Sequence, residues 1–217
     1  MHAIPKLLAA SLAALPLLGP PLVCFPWRIG DAPSLPWGND AFELGNLDPD
    51  ELQSATAKAL DATKDPLVHM ETLRRAAVYA TRFDERAKKG EGREASQLVS
   101  MMNGRTLRSL CEGKDEALAW LDVGYLRESL GQLGSGKANA GRDFLEKAAS
   151  LAPNDPAIRL AACGASLDSH GGKEKALAHL DAALSLAKPG SPVHENAVAY
   201  AKHFFGRDEG LSKKAGE

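Results

Sequence analysis

Proline placement constrains this chain more than any other feature. Seven of its thirteen prolines fall within the first 36 residues, and none interrupts the 86 residues from Leu67 to Ala152. The other six are Pro49, Pro66, Pro153, Pro156, Pro189 and Pro192. Four of these follow an acceptor side chain, in Asp48-Pro49, Asp65-Pro66, Asp155-Pro156 and Ser191-Pro192. An acceptor at the cap with proline at the first helical position marks a helix start, because that position has no partner for an N–H anyway. Asp48 with Glu51 has, in addition, the spacing of a capping box. From residue 41 onward valine, isoleucine and threonine together fill only 12 of 177 positions, too few to build a sheet. The expected class is all-α.

Apolar spacing then sets out eight helices, near 48–63, 66–88, 93–112, 114–133, 137–152, 156–168, 172–187 and 192–206. Asn103-Gly104 is expected to kink or divide the third. The fourth, with Trp120, Leu121, Val123, Tyr125, Leu126 and Leu130, is apolar nearly all round and is expected to be the most buried.

The first segment reads as an address. Lys6 is followed by no charged residue from Leu7 to Val23, the layout of a secretory signal or a signal anchor. Seventeen helical residues would span roughly 26 Å, a little less than a hydrocarbon core of about 30 Å. Val23 in front of Cys24 argues against lipid attachment, and the best small-x-small cleavage site is Ala32-Pro33-Ser34. The expected organisation is a cleaved signal or retained anchor over residues 1–34, a linker over 35–47, a helical domain over 48–207 and a tail over 208–217. That implies export to the periplasm or the outer face of a membrane, with membrane contact through residues 7–23.

The proline-punctuated strip 25–47 holds Trp27 and Trp37. Trp27 fits the headgroup level of a membrane. Trp37 and Phe42 fit either a strap along the first helices or a docking contact. Glu71, Arg74 and Arg75 form i,i+3 and i,i+4 pairs that read as a surface salt-bridged face, with an anionic-ligand site as the other reading. Trp27, Trp37, Arg74 and Arg75 are therefore the candidate partner contacts. Cys111 and Cys163 are the candidate disulfide, worth about 4 kcal/mol in the chain-entropy model; two free cysteines are the alternative.

Leu145–Ala152 aligns with Leu180–Ala187 at an offset of 35 residues, and each segment leads through a proline into a Pro-initiated helix. A period in the mid-thirties with a helix pair per unit resembles the tetratricopeptide repeat over roughly residues 114–206. Gly141, Ala148 and Pro153, then Ala176, Ala183 and Pro189, stand where that family uses small residues and a terminating proline. The resemblance implies stacked helical hairpins that offer a groove to a peptide or another subunit.

With 26 Lys and Arg against 28 Asp and Glu, the chain lacks the positive field of a nucleic-acid binder. No two histidines stand at i,i+4, and no Cys-x-x-Cys or His-Glu-x-x-His occurs. Gly131, Gly134 and Gly136 read as a helix cap and turn, not a phosphate loop. Nothing here calls for a cofactor or metal. The expectation is a non-enzymatic protein-binding module of the cell envelope; the alternative is an envelope enzyme with a site assembled from scattered residues.

Overall fold

The structure, a computed structural model, describes residues 19–38, 43–87, 93–167 and 172–207. The apolar run before residue 19, Phe42, residues 88–92, His170 and the residues after 207 lie outside the described residues. Among the described residues eight helices pack against one another: α1 (Leu52–Asp61), α2 (Pro66–Arg86), α3 (Glu94–Glu112), α4 (Glu116–Gln132), α5 (Arg142–Leu151), α6 (Pro156–Leu167), α7 (Lys173–Leu186) and α8 (Pro192–Phe205). Among the described residues there is no strand, only an isolated antiparallel bridge between Trp37 and Leu44.

The Asp/Ser-Pro starts are real helix starts. Asp65 Oδ1 accepts from the Leu67 amide at 2.9 Å, and Asp155 Oδ1 accepts from Ala157 and Ile158 at 2.9 and 3.0 Å. Ser191 Oγ accepts from His194 at 3.3 Å. At Asp48 the carboxylate takes the Asp50 amide and the chain winds a short 3-10 turn, Pro49–Glu51, before α1 begins. Each cap satisfies amides that the first helical turn leaves without partners.

Each helix packs on the next one in the chain, and α2, α4, α6 and α8 also meet in sequence as an inner layer. Close approach is set by glycine where α4 meets α5. A Cβ on Gly141 would fall 2.0 Å from the Gly124 carbonyl oxygen, and one on Gly124 would crowd Phe144 and Leu145.

Two expectations change. α3 runs unbroken through Asn103-Gly104. α4 is not the most buried helix: ten of its 17 residues are buried, against fourteen of 21 in α2 and nine of 12 in α6. The reason lies outside the helices. Residues 19–38 pack against the helices. They cross the inner layer as a strap, with Leu22, Val23, Trp27 and Leu35 each no more than 2% exposed. The boundary drawn after residue 34 therefore runs through a packed part of the fold, and Trp27 sits inside the protein, not at a headgroup level.

Candidate functional site

Five prolines, at 20, 21, 26, 33 and 36, fix what the strap can do. They withhold amide donors and bar both a helix and a regular ladder, so its remaining main-chain groups need side-chain partners once buried. The inner helices supply them. Gln132 accepts from the Leu22 amide at 3.0 Å, and Tyr125 donates to the Leu22 carbonyl at 3.1 Å. Arg74 Nη1 donates to the Val23 carbonyl at 3.2 Å, and Glu71 Oε2 accepts from the Trp27 amide at 3.0 Å. On α8, Asn196 closes a two-way clamp, accepting from the Arg28 amide and donating to the Arg28 carbonyl, both at 2.9 Å. Arg75 Nη1 and Tyr79 Oη donate to the Leu35 and Pro36 carbonyls at 2.7 and 2.8 Å. On α6, Gly164 leaves the space that Leu22 fills, since a Cβ there would lie 2.3 Å from Leu22 Cδ2.

Aromatic rings complete the seat. Trp27 stacks on Tyr200 at 5.5 Å between centroids, and Phe25 meets both edge-on at 4.9 and 5.1 Å. Trp27 Nε1 donates to Tyr125 Oη at 2.6 Å. Such pairs add about 0.5–1.5 kcal/mol each beyond their buried area.

The structure brings all four candidate contact residues together, but it turns them inward. Arg74 is wholly buried and holds Glu71 bidentately, Nε to Oε2 at 2.8 Å and Nη2 to Oε1 at 2.9 Å, while Arg75 Nε reaches Oε1 at 2.7 Å. One carboxylate thus faces two guanidinium groups. The surplus positive charge is met by the strap carbonyls and by the Trp37 ring, whose centroid lies 4.9 Å from Arg74 Cζ and 5.6 Å from Arg75 Cζ. The cluster is neither a surface face nor an open anion site. Trp27 and Arg74 offer no surface to a partner, and Trp37 and Arg75 are half-buried in contacts with the chain itself.

The two candidate disulfide cysteines are free and stand in unlike places. Cys163 is buried on α6, where burial pushes its thiol well above the ordinary value, and Cys111 is exposed near the end of α3. Among the described residues no group of three or more His, Cys, Asp or Glu could hold a metal ion, and no helix is long and apolar enough to cross a membrane.

Sequence reasoning missed a second polar site, because its members are scattered along the chain. A cavity of about 160 Å³ lies among α1, α2, α3 and α4. His69 and Asp122, both buried, are among its lining. His69 Nδ1 lies 2.7 Å from Asp122 Oδ1, and Nε2 lies 3.1 Å from the Thr63 carbonyl. A carbonyl only accepts, and so does an ionised carboxylate, so keeping both bonds requires a proton on each ring nitrogen. Burial opposes that charge. Asp122, through its charge and hydrogen bond, and the Thr63 and Leu60 carbonyls outweigh it, and His69 holds its proton above the ordinary histidine range. Around the pair, Arg105 Nη2 meets Asp61 at 2.7 Å and Lys64 Nζ meets Asp115 at 2.5 Å.

A third polar group lies across α5, α6 and α7. Glu146 Oε1 takes Lys175 at 2.8 Å, with His179 Nε2 and Ser166 Oγ each at 3.3 Å. Burial pushes its carboxyl up, but the His179 and Lys175 contacts prevail and hold it down at about 2. Ser166 donates its hydroxyl proton to the Glu146 carboxylate.

Compared with known proteins, the chain matches no family model, no curated protein and no solved structure.

Proposed function

We propose that this is a non-enzymatic helical-hairpin protein, exported or held at a membrane by its N-terminal segment, that mediates protein–protein interaction in the cell envelope. One observation carries the reading. The inner helices grip a proline-rich segment, turned at Pro20–Cys24 and without helix or strand beyond, largely by its main chain, much as peptide-binding surfaces hold extended partners. The tetratricopeptide-like reading draws support from the same place. The helices that begin near 66, 114, 156 and 192 are the ones that form the inner layer, and the two aligned segments fall on the outer helices α5 and α7. Export draws its support from the uncharged run behind Lys6.

With the inner layer occupied by the strap, a partner meets the outer helices. There α3 presents Leu107, 63% exposed, one turn before Cys111. The test is site-specific photo-crosslinking in cells that make the chain with its native N-terminus. The photoreactive residue is placed at Leu107 and, as a control, at Gly190 in the α7–α8 turn. One discrete protein adduct from Leu107, found in the membrane or exported fraction and absent from Gly190, is the expected result. No adduct from either position, or a chain confined to the cytoplasm, would remove this reading.

A further inference from the structure

We propose that the cavity among α1, α2, α3 and α4 is a binding site for a compact oxyanion, gripped from α3 by Arg105 and Arg108. Three carboxylates line the cavity and each is already engaged: Asp122 with His69, Asp61 with Arg105 and Asp115 with Lys64. Arg108 also lines it and belongs to none of these pairs. Arg105 Nε, buried, has no acceptor. The two arginines stand three residues apart, on one face of α3, so an unengaged guanidinium and a buried donor converge on the same space.

A buried donor without an acceptor costs about 1–3 kcal/mol, and a charged acceptor recovers more than a neutral one. Water would satisfy the donor alone, whereas an anion would engage the buried donor and the exposed Arg108 guanidinium together. What fits both is a group with several acceptor oxygens and a negative charge. Thr106 spends its hydroxyl proton on the Ala119 carbonyl at 3.2 Å, so its oxygen does not bring a free donor, whereas the Ser109 hydroxyl lines the cavity beside Arg108. About 160 Å³ admits inorganic phosphate or a small carboxylate.

The experiment titrates the full chain with inorganic phosphate and, in parallel, with acetate. Chloride keeps the ionic strength constant, and backbone and arginine side-chain N–H resonances are followed by NMR. Saturable shifts confined to Arg105, Arg108, Ser109 and the start of α4 are expected. Arg108→Ala, an exposed change that leaves the packed core alone, should weaken binding about tenfold, the loss of one charge-assisted hydrogen bond. Arg108→Lys should recover part of it. Arg105→Lys keeps the charge that faces Asp61 while removing Nε, and should also weaken binding. Saturation by phosphate alone identifies a phosphate-type site, and saturation by both anions identifies a general oxyanion site. Linear shifts with both, or an unchanged affinity in Arg108→Ala with its melting temperature intact, would overturn the proposal.

Discussion

Trp27 and Tyr125, 98 residues apart, share a hydrogen bond of 2.6 Å from indole Nε1 to phenol Oη inside the protein. Tyr125 passes its own proton on to the Leu22 carbonyl. One hydroxyl on α4 thus fixes two points of the strap. Tyr125→Phe keeps the ring and leaves a buried indole N–H and a buried carbonyl short of a partner. The expected loss is about 1–3 kcal/mol in urea unfolding at unchanged m-value. An unchanged midpoint would mean that the strap does not depend on this bond.

The strap should be essential to the fold. Removing residues 1–18 leaves every main-chain contact described above in place, and this truncation should unfold cooperatively. Removing residues 1–34 takes Leu22, Val23 and Trp27 from the core, on the order of 5 kcal/mol or more of apolar burial. It also strips partners from Glu71, Arg74, Tyr125 and Asn196. Set against a typical total of about 5–15 kcal/mol, that truncation should be largely unfolded or aggregated by circular dichroism and size exclusion. If it folds normally, the strap is dispensable and cleavage after Ser34 becomes compatible with a stable domain.

Glu71 is the only carboxylate in contact with both Arg74 and Arg75 among the bonds described above. Glu71→Gln keeps the shape but removes the charge opposite two guanidinium groups, one of them wholly buried. Breaking a buried pair from one side costs about 3–5 kcal/mol, and Glu71→Gln should approach that range in chemical denaturation. A loss of a few tenths would place the pair in the class of surface salt bridges.

The His69–Asp122 pair gives stability a definite pH dependence. Its folded-state pKa lies above the ordinary value of 6.5. Below the ordinary value the folded and unfolded chains both hold the proton, and the contribution is present in full. As pH rises from there through the higher folded-state pKa the contribution is lost. Asp61, Lys64, Arg105, Arg108 and Asp115 are the other charged residues about the cavity. Melting temperature should therefore fall as pH rises above about 6.5, and Asp122→Asn should flatten that part of the curve. A profile identical in the variant and the parent protein would detach the slope from this pair.

Thiol reactivity should separate the cysteines. In the native protein Cys111 should alkylate readily. Cys24, half-buried and with its thiol pushed up by burial, should be slower, and Cys163 should react only on unfolding. Two unreactive thiols that appear together on reduction would instead indicate a Cys111–Cys163 bridge.

What could be read from the chain followed from local rules. Helix starts at Pro66, Pro156 and Pro192 were legible because a cap acceptor and a proline act within one turn. The start of α5 was not. Its helix was expected from residue 137 but begins at Arg142, because Asn139 turns to a φ of 57° and Gly141 is pressed against the Gly124 carbonyl of α4. α3 was expected to kink or divide at Asn103-Gly104; it is not divided, since a glycine costs only about 1 kcal/mol within a helix, and contacts along Ala95, Leu98, Met102 and Thr106 carry α3 through it. The cavity gave no signal at all, since His69 and Asp122 are 53 residues apart on different helices.

By itself, then, the sequence determined an all-α chain, the positions of its helices and the extended character of its proline-rich beginning, because caps, periodicity and missing amide donors act over a few residues. Tertiary structure decided what those pieces meant. The i,i+3 and i,i+4 pairing of Glu71 with Arg74 and Arg75 is the same on a bare helix as in the folded protein. Only the strap lying across it makes the cluster an interior anchor, since burial depends on what covers a side chain and not on its neighbours in sequence.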